Sequence, residues 1–102
     1  MVTVESSHHI DADEDAGYRY EYDLYRFSDG GISFVARSYV HNPKEAHFLR
    51  VEMGGKSRML SDHDLNSPLF RESLNHLRSL GKNDLQWLSG RGDGYEAVKL
   101  ET

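Results

Sequence analysis

Ser67-Pro68-Leu69-Phe70-Arg71-Glu72-Ser73-Leu74-Asn75-His76-Leu77-Arg78-Ser79-Leu80-Gly81 is the strongest helical stretch of the chain, and it fixes the layer against which the rest must pack. Ser67 is a natural N-cap, and Pro68 fits the first helical position, where its missing N–H costs nothing. Phe70, Leu74 and Leu77 recur at helical spacing, with Leu69 and Leu80 widening the apolar stripe. Arg71, Glu72, Asn75, His76 and Arg78 fill the other positions. Gly81 suits the residue just past the helix end, and Arg78 and Lys82 suit its negative pole.

The sequence before this helix alternates. Tyr18 to Leu24 places Tyr18, Tyr20, Tyr22 and Leu24 on one face and Arg19, Glu21 and Asp23 on the other, the period of a half-buried strand. The phase slips at Leu24-Tyr25-Arg26-Phe27. Either a bulge or aromatic residues on both faces near the strand end accounts for that. Ser28-Asp29-Gly30-Gly31 is a turn. Ile32 to His41 is a second strand, with Phe34, Ala36 and Ser38 opposite Val35, Arg37 and Tyr39. Asn42-Pro43-Lys44-Glu45 interrupts it, because proline cannot donate to a ladder. His47 to Met53 is a third strand with Leu49, Val51 and Met53 in phase. Gly54-Gly55 turns into a short fourth strand, Lys56 to Leu60.

After the helix, residues 82–89 leave two options. Asp84 caps a short helix through Leu88, or Leu85 to Ser89 is a strand. Tyr95 to Leu100 alternates again. The expected fold class is α+β. The expected architecture is an antiparallel β-meander of four to six strands with one main α-helix packed on one face, in two layers.

At 102 residues the chain has the size of one domain, expected over residues 18–102. Its net charge of -5 is carried by residues 1–17, which hold Glu5, Asp11, Asp13, Glu14 and Asp15 and neither Lys nor Arg. That segment is expected to be a disordered acidic tail, having few large apolar groups to offset its ordering entropy. Residues 18–102 balance 12 acids with 12 bases, which argues against a nucleic-acid partner. No apolar run is long enough to span a bilayer, and no secretory or transit signal is evident, so neither a membrane nor an exported setting is expected. The absence of cysteine excludes disulfides and thiolate sites and fits a cytoplasmic setting.

Catalytic motifs are missing. No serine lies in a G-x-S-x-G elbow, and no phosphate-binding glycine motif occurs. Met53-Gly54-Gly55-Lys56-Ser57 reads as a hairpin turn, and Gly90-Arg91-Gly92-Asp93-Gly94 as a glycine loop. Asp62, His63 and Asp64 are consecutive and cannot converge on one ion from an extended segment, so neither a metal nor a cofactor is expected. The leading expectation is a small non-catalytic interaction module that presents a mixed-charge sheet face, or an exposed edge strand, to a protein partner or its own copy. Its binding residues are Arg37, Tyr39, Arg50 and Arg58, placed together on the mixed-charge sheet face away from the helix. A pocket between helix and sheet using His41, His47, His63 or Asp62 would favour a small enzyme or ligand-binding protein. A third reading is an acidic, immunity-type inhibitor steered by its tail to a basic partner.

Overall fold

The computed structural model describes residues 2–91 and 94–98. Its elements are β1 (Thr3–Asp13), β2 (Tyr18–Asp29), β3 (Ile32–Tyr39), β4 (Glu45–Met53), β5 (Lys56–Arg58), a 3-10 turn (Asp64–Asn66), α1 (Pro68–Ser79), β6 (Asp84–Leu88) and β7 (Tyr95–Ala97). The strands form one seven-stranded sheet in the order β1-β2-β3-β4-β6-β7, with β5 paired to the end of β4. The fold is α+β, with a single α-helix among the described residues. Among these residues no helix is long and apolar enough to cross a membrane.

The sheet is mixed, not the pure antiparallel meander of four to six strands that the sequence suggests. β6 runs parallel to β4, pairing Glu45–Phe48 with Asp84–Trp87. Parallel neighbours need a long crossover, and β5, the 3-10 turn and α1 supply it. The same pairing decides residues 84–88 in favour of a strand. The predicted strand Tyr95 to Leu100 is seen over Tyr95–Ala97; Lys99 and Leu100 lie outside the described residues, as do Gly92 and Asp93 of the glycine loop.

Local chemistry explains the element ends. Ser67 Oγ accepts from the Phe70 amide at 3.1 Å, so the predicted cap is in place. At the far end Gly81 takes φ +84°, donating to the Arg78 carbonyl at 2.9 Å while Lys82 N donates to Leu77 O at 3.0 Å. That is a Schellman closure, which glycine allows at no steric cost. Gly30 and Gly31 both have positive φ between the paired Asp29 and Ile32, as a two-residue hairpin turn requires. Lys82 is buried, its Nζ donating to the Pro43 carbonyl at 2.9 Å, and this fastens the helix end to the β3–β4 turn.

The core lies between α1 and one sheet face. Tyr25, Phe27, Phe34, Ala36, Ala46, Phe48, Val51, Leu85 and Trp87 meet Leu69, Phe70, Leu74 and Leu77. Phe70 sits at the centre, with ring centroids 4.6 Å from Phe48 and 5.5 Å from Phe34. Two strand phases differ from the sequence reading. In β4 the ladder to β3 shifts between Val35 and Ala36, leaving Leu49 as an extra residue, so Phe48 and Val51 both enter the core. In β2 the ladders run through Leu24–Phe27 without a shift. Tyr25 and Phe27 face the helix, and Tyr18, Tyr20, Tyr22 and Leu24 face away from it. The three tyrosines do not support the helix.

The largest correction is at the N-terminus. Thr3–Asp13 is a strand paired with Tyr18–Ser28 along its whole length, where the sequence suggests a disordered tail. Nearly all of its side chains are exposed, which is why composition hides it. Ladder hydrogen bonds, a half-buried Val2 against the core and side-chain bonds to β2 hold it.

Leu74 is 1% exposed. Leu74→Ala is expected to destabilise by about 2–5 kcal/mol, seen as a lower urea midpoint at unchanged slope. An unchanged midpoint would place the helix stripe elsewhere.

Candidate functional site

The sheet face opposite α1 has no covering layer among the described residues. Its chemistry divides along the strands. Toward the β2–β3 turn, Glu52 accepts from Arg26 Nε at 3.0 Å through one carboxylate oxygen and from Arg50 Nε at 3.0 Å through the other. The hydrogen bond from Arg50, aided by Arg26, holds the Glu52 carboxyl below its usual range. Val35 lies between Arg26 and Arg50 as cross-strand partner of both. It is only 1% exposed on an otherwise open face, because the arginine stems flank it.

In the middle, Arg37 stacks its guanidinium 4.7 Å from the Tyr39 ring centroid and donates through Nη2 to the Tyr95 hydroxyl at 3.2 Å. Tyr95 packs on His47 with centroids 4.7 Å apart. His47 Nε2 is 3.2 Å from Glu45. Burial depresses the His47 pKa, and the Arg37 charge adds to this against the opposing pull of Glu45 and Asp84. These groups brace β7 to β3 and β4.

At the other end lies a row of rings. Tyr18 contacts Tyr20 at 5.5 Å, Tyr20 contacts Tyr39 at 6.0 Å, and Tyr39 contacts Tyr22 at 5.8 Å. His9 of β1 stacks on Tyr22 at 5.4 Å, and His41 lies 5.6 Å from Tyr39. Tyr18 and Tyr20 are 40% and 47% exposed. Asp11 and Asp13 stand opposite Tyr20 and Tyr18 in the ladder and border the rings with negative charge.

Of the sequence-expected binding residues, Arg37, Tyr39 and Arg50 share this open face. Arg58 does not. It pairs with Val51, whose side chain enters the core, so Arg58 lies on the helix side. There its two guanidinium nitrogens bind the two oxygens of Asp64 at 2.7 and 2.8 Å. The sequence placed Arg58 by extending the open-face alternation into a strand that ends after three residues. Tyr20, Tyr22, His9 and Asp11 are not among the sequence-expected site residues for linked reasons: alternation gives Tyr18–Leu24 as a half-buried strand without deciding which face is covered, and residues 1–17 read as a tail. Thr3-Val4, Ile10 and the turn-forming Asp13–Gly17 were the available signal for a strand and hairpin.

The enzyme-type candidates are dispersed. His41 lies beside Tyr39, His47 under Tyr95, and Asp62 in an ion pair with Arg91 at 3.1 Å, while His63 is exposed before the 3-10 turn. No hydrogen bond joins any two of them among the described residues. An open depression of about 340 Å³ is lined by Gly31, Ser33, Glu52, Met53 and Lys56, at the hairpin turns and away from these groups. No cluster of three or more His, Asp or Glu suited to a metal ion occurs among the described residues. No protein-family model, curated protein or solved structure matches the chain.

Two ion pairs make the fold sensitive to pH. Asp64, with its side chain 7% exposed, is pushed down from 3.8 to about 2, chiefly by the Arg58 hydrogen bonds and then by those of Ser61. Its stabilisation is therefore present above pH 3.8 and is lost as pH falls through about 2. Asp64→Asn should cost about 1–2 kcal/mol at neutral pH, less than full linkage because Arg58 is half exposed, and should flatten the acid limb of a stability-versus-pH curve.

On β1, His8 bridges Asp23 at 2.7 Å and Glu21 at 2.8 Å. These hydrogen bonds raise its pKa above 6.5, that of Asp23 most. The histidinium holds β1 to β2 fully below pH 6.5, and the hold is lost as pH rises through the raised value. After correction for intrinsic rates, β1 amides should lose exchange protection as pH rises above 6.5, and His8→Gln should remove that pH dependence.

Proposed function

We propose that this protein is a small, non-catalytic binding module that presents the ring-bearing end of its open sheet face to a partner protein. The supporting observation is the continuous row of rings, Tyr18 and Tyr20 exposed and Tyr39, Tyr22 and His9 half-buried, with Arg37 stacked on it. Tyrosines bury large apolar area at small rotamer cost and carry a hydroxyl for the wet rim, so they and arginine concentrate where proteins meet. The rings add nothing to the helix-facing core, and half-exposed tyrosines in contact form an apolar patch that a partner would dehydrate. The cysteine-free composition supports a cytoplasmic setting for this role.

Arg50 and Arg37 are secondary in this reading. Arg50 is engaged with Glu52, and Arg37 serves as a platform for Tyr39 and a brace for Tyr95. A Tyr20→Ala/Tyr39→Ala double variant tests the face without cutting that brace. Capture from the source cell with the wild-type chain is expected to yield one stoichiometric protein. The double variant, shown to be folded by its circular-dichroism spectrum, is expected to lose it. A folded double variant that retains the partner would move the binding surface elsewhere.

A further inference from the structure

We propose that the outer edge of β1 receives an extended, lysine- or arginine-bearing segment of a partner protein as an added strand. The cations of that segment would lie beside Glu5 and Asp11, on the face that carries the tyrosines. This deepens the binding-module reading and rests on it.

The edge is long and unguarded by shape. Thr3–Asp13 spans 11 residues, about 35 Å of ladder at the usual rise. It is bonded to β2 throughout without a register shift, and its outer side meets no other strand among the described residues. Edge strands are commonly blunted by proline, lysine, a bulge or brevity. Thr3–Asp13 contains neither proline nor lysine, and its ladder has no bulge. The opposite edge, β7, runs for three of the described residues.

What guards β1 is charge, and its carboxylates all lie on one face. Glu5, Ser7, His9, Asp11 and Asp13 share a face with Arg26, Leu24, Tyr22, Tyr20 and Tyr18, their ladder partners. Val4, Ser6, His8, Ile10 and Ala12 occupy the other. Arg26 opposite Glu5 is already held by Glu52 at 2.8 Å. Residues 1–23 hold seven carboxylates and a single Lys or Arg, Arg19, which lies on the other face, 3.5 Å from Glu21, together with His8, which is bonded to Glu21 and Asp23.

A second copy is the natural competitor for an open edge, and these charges oppose it. An antiparallel pair of β1 strands centred on His8 sets Glu5 opposite Asp11 in both halves, and a parallel in-register pair sets each acid against itself. Like charges directly opposite destabilise a ladder. A basic segment reverses the sign of that term. The alternation also specifies its pattern: cations at every second position for Glu5 and Asp11, and apolar residues between them for Val4 and Ile10, which are 38% and 54% exposed. Backbone pairing would supply affinity and the alternate side chains selectivity.

The full chain, isotopically labelled, is titrated with a capped peptide alternating Lys and Val, and with the same peptide carrying Glu for Lys. The Lys peptide is expected to bind, to slow exchange of the β1 amides not bonded to β2, and to weaken several-fold as salt screens the charges. The doubly exposed variant Glu5→Lys/Asp11→Lys, its folding checked by the same spectra, is expected to lose the Lys peptide and accept the Glu peptide. Equal binding of both peptides, or of neither, overturns the proposal. Shifts at the Tyr20, Tyr22 and Tyr39 rings without slowed β1 exchange also overturn it while leaving the sheet-face reading standing. Slowed β1 exchange in a sedimenting dimer without peptide would assign the edge to a second copy instead.

Discussion

Phe70 reaching between Phe34 and Phe48 is the contact on which the rest of the structure depends. It is the meeting point of the only α-helix described and the two central strands, with ring geometries that are T-shaped and tilted as aromatic quadrupoles prefer. Ser67 starts the helix so that Phe70 faces the sheet, and Leu74 and Leu77 follow one and two turns later. The extra residue at Leu49 is the matching adjustment in the sheet. Without it Phe48 and Val51, three positions apart, would point to opposite faces, and the socket for Phe70 would lose one wall.

The length of that helix then determines what the rest of the sheet can do. Twelve helical residues cover about 18 Å, whereas the twelve residues of β2 extend about 40 Å. The helix shelters Tyr25 and Phe27 but leaves Tyr18–Leu24 with no buried residue. Beyond Leu24 the β1–β2 hairpin is therefore wet on both sides. One side carries the ring row, and the other carries Ile10, Val40 and the His8–Glu21–Asp23 bridge. A stretch of sheet without its own core must be held by cross-strand side-chain pairs, and those same pairs form the chemically distinctive surface.

Charge follows the same division. At the mixed-sign end of the open face the charges are engaged with one another: Glu52 binds both Arg26 and Arg50 over Val35, leaving one positive charge in excess. The hairpin end is acidic and unbalanced. A surface whose cations and anions are already paired has little to offer a partner, whereas partly exposed rings bordered by Asp11 and Asp13, which join no ion pair among the described residues, retain both apolar area and a preferred sign.

Local rules made much of this legible in advance. The helix with its Ser67 cap and Gly81 stop, the Gly30-Gly31 hairpin, and the shared face of Arg37, Tyr39 and Arg50 follow from caps, turn residues and period-two alternation, all of which act within a few residues. Three features required the tertiary structure. Whether Tyr18, Tyr20 and Tyr22 or Tyr25 and Phe27 face the helix depends on where the short helix lands along a long strand, since both sets alternate equally well. The parallel placement of β6, and the departure of Arg58 to the helix side with Asp64, depend on the path of the crossover. That Thr3–Asp13 becomes a strand depends on β2 offering it a complete ladder. Its own side chains bury almost nothing, so Thr3-Val4, Ile10 and the turn at Asp13–Gly17 are its only local marks, and backbone hydrogen bonding to a preformed neighbour leaves no trace in composition.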